Sequence, residues 1–198
     1  MIQTNPSKHY WNYFLSIEED LERVARFIEF DEDNLQTYSI ELAKIFLSAS
    51  SEIDVFLKQI CHKMDDLENP KNINGYRKVI ISKLPEFIEE TVFVHRYGFQ
   101  FNPWEEWSNN KNPNWWTNHN KVKHQRNIYF KEANVENVLK ALGALLICVT
   151  YFYKLKLQED YKEKSIKIDM NKTCELLNPK SKLFKFKAKY HQHPVYIY

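Results

Sequence analysis

The chain has 198 residues, a formal net charge of +2 and only three glycines, at positions 75, 98 and 143. Because these glycines are far apart, the sequence excludes the glycine-rich phosphate loops of nucleotide-binding proteins and the GxSxG turn of α/β-hydrolases. Their scarcity also argues against an all-β fold with many tight turns. The hydrophobic fraction of 43% supplies ample material for a buried core.

The N-terminal half of the chain predicts two long helices without proline. From Trp11 to Ile28, apolar residues recur every three or four positions, which is typical of a helix with one apolar stripe. A second stripe runs from Leu42 to Met64, after an acidic interruption at residues 31–34. A short third helix is expected over residues 74–84, and Pro85 ends it.

The stretch 91–102 differs, because its β-branched and aromatic residues alternate and it contains Gly98. This pattern indicates an extended segment or a short hairpin. A helix is predicted over residues 114–127, with an interruption near residues 129–130. Asn134 is the expected N-cap of the most apolar helix, whose residues 141–153 carry no charge. A helix that is apolar on every side is typically central, and Gly143 within it predicts the backbone of a close neighbour.

These elements together predict a mainly all-α protein. We expect a four- to five-helix up-and-down bundle over residues 1–158, with a short β-like insertion near 91–102. Residues 159–198 are expected to form a C-terminal extension, packed on the bundle or extending from it. Within the extension, residues 183–189 (LFKFKAK) alternate in a way that indicates a strand or an extended arm.

Several sequence features bear on compartment and cofactors. The polar N-terminus has no signal-like apolar core, and the thirteen uncharged residues at 141–153 are fewer than the roughly twenty that a membrane span needs. The cysteines at positions 61, 148 and 174 form no CxxC pair. His191 and His193 have no acidic residue or cysteine near them in sequence. We therefore expect a cytoplasmic protein without a membrane partner, a cofactor or a metal.

Charge is unevenly distributed along the chain. Residues 1–70 hold fourteen acidic and six basic residues, whereas residues 71–198 hold twelve acidic and twenty-two basic residues. This asymmetry fits an anionic partner for the second part, and it fits equally well the packing of the two parts on each other or on a second copy.

The segment 107–131 is the strongest candidate for a binding site. It contains no acidic residue and interleaves cations and histidines with aromatic rings. Cations neutralise phosphates and rings stack on unpaired bases, so the pattern suits a nucleic acid. The nucleic-acid-binding candidates are His119, Lys121, Lys123, Asn127, Lys131, Trp115 and Trp116.

The same segment holds candidates for metal-independent RNA cleavage. On a helix, Asn120, Lys123, His124 and Asn127 fall on one face, and Arg126 lies near its edge. In this hypothesis His124 takes the proton of a 2′-hydroxyl, Arg126 holds the phosphate, and Asn120 orients the reacting groups.

The segment WWTNHNKVKHQR, with the helix that follows it, resembles the HEPN superfamily. The resemblance implies an all-α, usually dimeric protein of the kind found in bacterial toxin–antitoxin and phage-defence systems. Many members are metal-independent ribonucleases, so a homodimer, an RNA and an antitoxin or other protein partner are the implied partners. In the superfamily signature a histidine follows an arginine, whereas His119 and His124 precede Arg126 here.

A different class of function also fits these residues. Tryptophans are more often core or interface anchors than base-stacking platforms. The basic segment can pair with an acidic surface, and Glu18, Glu19, Asp20 and Glu22 offer one. The alternative is therefore a non-enzymatic protein-interaction module, for helical dimerisation or partner binding. An open positive cleft lined by His124 and Arg126 would favour the first hypothesis over the second.

Overall fold

The computed structural model of the chain describes residues 8–64, 69–161 and 168–186. The mainly all-α class and the short β insertion are confirmed. Six α-helices occur in this described part: five form the bundle, within the predicted four to five, and a short sixth helix lies in the C-terminal extension. They are α1 (His9–Val24), α2 (Ile40–Met64), α3 (Ile73–Lys83), α4 (Asn114–Tyr129), α5 (Val135–Asp160) and α6 (Met170–Leu176).

Helix α5 is the central element, as its composition predicts. Asn134 caps it, since its side-chain oxygen accepts a hydrogen bond from the backbone N–H of Asn137 at 3.0 Å. By length and composition α5 could cross a membrane, but 89% of its most apolar window is buried inside the bundle, which is what a central core helix shows.

Helix α2 runs parallel to α5 along most of its length. At one end the backbone N–H of Val135 donates to the carbonyl of Thr37. At the other end Lys63 forms an ion pair with Glu159 at 2.6 Å. The interface between them is apolar, and together with the stripe of α1 it forms the main part of one continuous core. Burial of this apolar surface is the dominant stabilising term.

The β insertion is a hairpin that gains a third strand from the C-terminal extension. Its strands are β1 (Val92–Val94) and β2 (Phe99–Phe101), and β3 (Lys185–Phe186) pairs with β1 on the opposite edge. All neighbouring strands are antiparallel. The turn between β1 and β2 uses Gly98 at φ +71°, a conformation that side chains with a Cβ rarely adopt. The strand expected within residues 183–189 is therefore present at 185–186, and residues 187–198 lie outside the described part.

The close neighbour of Gly143 is a side chain of this hairpin. A Cβ placed at Gly143 would lie 2.6 Å from Cε2 of Phe101 and 3.5 Å from Cγ1 of Val92. The prediction of a neighbouring backbone was wrong in that detail. The glycine leaves room for the ring of Phe101, which packs the sheet against α5. It does not mark a point where two helices cross.

The acidic turn of α1 holds the C-terminal extension. Glu18 is 2% exposed. Its carboxylate accepts hydrogen bonds from the backbone N–H groups of Lys182, Leu183 and Phe184 and from the hydroxyl of Ser181. Several donors on one buried carboxylate compensate its loss of hydration. The first part of the chain thus packs against the extension, and the exposed Lys182 also pairs with Glu22.

We expect Glu18→Gln to weaken the attachment of the extension. The amide offers only one acceptor oxygen to a cluster of donors and adds an N–H₂ group that repels them. The free energy of unfolding should fall by about 2 kcal/mol, and amide hydrogen exchange at residues 182–186 should accelerate. Glu19→Gln is the matched control. Glu19 is exposed and forms a surface ion pair with Arg23, so its replacement should change stability by less than about 0.5 kcal/mol. Equal effects of the two variants would contradict this assignment.

Candidate nucleic-acid interface on α4

The first half of α4 is anchored in the core by four buried residues, Trp115, Trp116, His119 and Val122. The indole N–H of Trp115 donates to the carbonyl of Pro103 at 2.8 Å. Trp116 packs against Trp115 and His119. Both tryptophan rings therefore lie in the core, so neither offers an exposed face to a base, contrary to the expectation from sequence. The physical reason is that α4 has to cover α2 and α5 with its largest apolar side chains.

His119 is also part of this buried cluster, so it is not a surface contact for RNA. It is 4% exposed, and its ring lies 5.9 Å from Phe46 of α2 between centroids. Burial, reinforced by the nearby Lys123 and His124, lowers the pKa of His119 to about 4. The imidazole is therefore neutral at pH 7, and its Nδ1 atom has no hydrogen-bond partner within the described part of the chain.

A kink at Gln125 changes which side chains of α4 meet. Gln125 has φ −141° and ψ 49°, outside the helical region, so the helical phase is broken there. An uninterrupted helix would turn Arg126 away from His124 by about two residues' rotation, roughly 200°. In the structure His124 and Arg126 line the same depression, on either side of the kink.

This depression, hereafter the α4 depression, has a volume of about 640 Å³ and is open to solvent. Its polar lining comes from Lys123, His124, Arg126 and Asn127, all of which are exposed. Its apolar lining comes from Leu47, Val122 and Phe130. The sequence could not indicate Leu47, because it belongs to α2 and only the packing of α4 on α2 brings it here.

The remaining candidates of the segment lie outside the α4 depression. Asn120 donates its side-chain N–H to the carbonyl of Trp116 at 3.2 Å, one turn back on its own helix. It therefore does not join His124 and Arg126, and the adjacent amide in the depression is that of Asn127. Lys121 contacts Asn118 and lies over the ring of Tyr129. Lys131 is exposed in the turn after α4.

The α4 depression is electropositive. None of its lining residues is acidic, and the side chains of Lys123, His124, Arg126 and Asn127 make no hydrogen bond or ion pair with another described residue. The acidic turn of α1 does not neutralise them, because Glu18 and Glu22 contact the C-terminal extension. Two full cations and an imidazole are thus available to an anion from solution.

Residues 8–64, 69–161 and 168–186 contain no group of three histidine, cysteine or acidic side chains close enough to hold a metal ion. His191 and His193 lie outside these ranges.

Comparison with known proteins finds no matching family model, no matching curated protein and no matching solved structure.

We expect the buried His119 to make stability depend on pH. In the unfolded chain this histidine becomes protonated below about pH 6.5, whereas in the folded protein it stays neutral down to about pH 4. The unfolded state therefore binds more protons in this window, and stability falls as the pH is lowered through it, by about 1 kcal/mol per pH unit. Urea unfolding at several pH values measures this slope. His119→Phe, which keeps a buried ring, should remove this contribution; an unchanged slope would contradict it.

Proposed function

We propose that the protein binds single-stranded RNA at the α4 depression. The observation that carries the proposal is the convergence of two cations that pair with no described residue, an imidazole and an amide around one open, acid-free concavity. Cations attract phosphates, and a guanidinium can hold a phosphate by two parallel hydrogen bonds. The apolar floor of Leu47, Val122 and Phe130 offers a surface for a base or ribose.

The position of the α4 depression supports this function. The helix that carries it is fixed by buried tryptophans, so the charged side chains project from a rigid element. The kink presents residues from both sides of Gln125 to one ligand. The resemblance to HEPN proteins is the reason for naming RNA rather than another polyanion. Dimerisation and a protein antitoxin are proposals on the same basis, and cytoplasmic location is a proposal from the sequence features given above.

We expect Lys123→Ala and Arg126→Ala each to weaken RNA binding through loss of a phosphate contact. For single strands, each lost contact should reduce the slope of log K against log salt concentration by about 0.7. Fluorescence anisotropy with labelled RNA over a salt series measures the affinity and its dependence on salt concentration.

Lys156→Ala is the matched control for these variants. This lysine is exposed near the C-terminal end of α5, at the other end of the bundle from Phe130, and its loss should leave affinity unchanged. Wild type that fails to bind RNA at low salt would overturn the proposal.

RNA cleavage is the second candidate function. It is favoured because His124 and Arg126 are both exposed and both line the α4 depression. In this reaction the imidazole of His124 takes the 2′-hydroxyl proton, and the 2′-oxygen forms a bond to phosphorus. The bond from phosphorus to the 5′-oxygen breaks, and the imidazolium returns the proton to the leaving oxygen. Arg126 stabilises the charge on the phosphate oxygens. The products are a 2′,3′-cyclic phosphate and a 5′-hydroxyl.

For a cleaving enzyme, His124→Ala should lower the cleavage rate by about a hundredfold or more in the presence of chelator. Gel analysis of end-labelled RNA measures the rate, and detection of the cyclic phosphate identifies the chemistry. Because His124 is exposed, the variant should fold normally. Equal rates for wild type and variant, or no cleavage by either, would remove the nuclease claim and leave the binding claim standing.

A non-enzymatic protein-interaction module remains the alternative. It is favoured by the exposed apolar side chains Ile40 and Ile128, which are 67% and 61% exposed, and by Tyr38, which is 50% exposed and touches Phe130. Exposed apolar groups of this kind often mark protein interfaces. The binding experiment separates the two functions, since an interaction module has no reason to bind RNA with a steep salt dependence.

A further inference from the structure

The outer face of the three-stranded sheet combines an aromatic ring with polar and basic side chains. Phe93 lies on the central strand, directly opposite Gln100 of β2 and Lys185 of β3. Its neighbours Val92 and Val94 point the other way and are fully buried. Phe93, His95, Gln100 and Lys185 are hereafter the outer sheet face. Gln100, His95 and Lys185 are exposed, and Phe93 is half-buried.

Two rings of the outer sheet face are stacked. The rings of Phe93 and His95 are nearly parallel, with an interplanar angle of 12° and centroids 5.4 Å apart. This stacking fixes the orientation of the phenylalanine ring in the middle of a rigid sheet. A flat apolar ring held in this way can stack against another planar group. Because the ring is already ordered, little side-chain conformational entropy is lost when a ligand binds to it.

The surrounding charges favour a nucleic-acid base over an apolar ligand. None of the four residues of the outer sheet face is acidic, and Lys185 supplies a cation directly across the strand pair from Phe93. Gln100 supplies both a donor and an acceptor on the other side. Arg96 follows His95, is exposed, and has its guanidinium 5.3 Å from the ring centroid of Tyr97. A stacking ring flanked by a phosphate-binding cation and an amide matches the chemistry of an unpaired nucleotide.

We propose that the outer sheet face is a second RNA contact, at which an unpaired base stacks on Phe93 while Lys185 binds its phosphate. The inference rests on the proposed RNA-binding function and extends it, since it adds a site at which an unpaired base of the single-stranded RNA is stacked. The two contacts have different chemistry. The α4 depression recognises charge through Lys123 and Arg126, whereas the outer sheet face recognises the planar base itself.

The test compares two ligands of equal length and charge: a uridine-rich RNA of about 20 nucleotides and an abasic ribose-phosphate oligomer. Phe93→Leu keeps apolar bulk in the sheet but lacks a stacking ring. We expect it to weaken RNA binding about tenfold and to leave binding of the abasic oligomer unchanged. Phe93→Tyr, which retains the ring, should bind RNA as wild type does.

Phe99→Leu is the matched control. Phe99 lies on the same sheet, but it pairs with Val94 and packs against the core on the inner face, so its replacement should not change RNA affinity selectively. Hydrogen exchange of β1 in each variant shows that the sheet is intact. The double variant Lys123→Ala/Arg126→Ala is expected to weaken binding of both ligands.

The outcomes separate this inference from the proposed function. Unchanged RNA affinity of Phe93→Leu would overturn the stacking site and leave RNA binding at the α4 depression standing. An equal loss for RNA and for the abasic oligomer would also overturn it, because base stacking cannot act on a chain without bases. Failure of the wild type to bind either ligand would overturn both proposals. A loss restricted to base-bearing RNA, restored by Phe93→Tyr, supports the inference.

Discussion

The need to cover α5 on every side determines most of this structure. Its residues from Val135 to Leu155 are almost all buried, so no face of the helix is left for solvent. Helices α1, α2, α4 and α6 pack around it, and the sheet closes over Gly143, where the ring of Phe101 takes the space of the missing side chain. The hydrophobic effect scales with the apolar area removed from water, so leaving any side of this helix uncovered costs more than loop closure does.

The candidate site follows from the same constraint. Because α4 contributes its tryptophans and His119 to the core, its opposite side has to carry the polar residues. Arg126 and Asn127, which follow the kink at Gln125, line the same depression as Lys123 and His124, which precede it. Part of the acidic charge in the first seventy residues is compensated within the protein, because Glu18 and Glu22 bind the C-terminal extension. Lys123 and Arg126 are left without hydrogen-bond or ion-pair partners among the described residues.

The candidate site lies within the segment that the sequence indicates, but the sequence does not determine which of that segment's side chains line it. The run without acidic residues at 107–131 and the presence of His124 and Arg126 predicted a basic surface. Which aromatic rings point inward depends on how α4 is rotated against α2, and composition does not report that rotation. Asn120 was assigned from its helical spacing to His124, but its side chain donates to the carbonyl of Trp116 on its own helix, which spacing alone does not predict. Leu47 lines the α4 depression only because α2 packs against α4, and these two helices are distant in sequence.

The sequence by itself determined the helical class, the positions of the long helices, the cap at Asn134 and the extended character of residues 91–102. These features depend on periodicity and on residues within a few positions of one another. Only the tertiary structure decided the parallel pairing of α2 with α5, the pairing of β3 with β1 and the capture of residues 182–184 by Glu18. Each of these joins parts of the chain about ninety residues apart or more. The free energy of such contacts depends on how the whole core packs, and no local pattern encodes it.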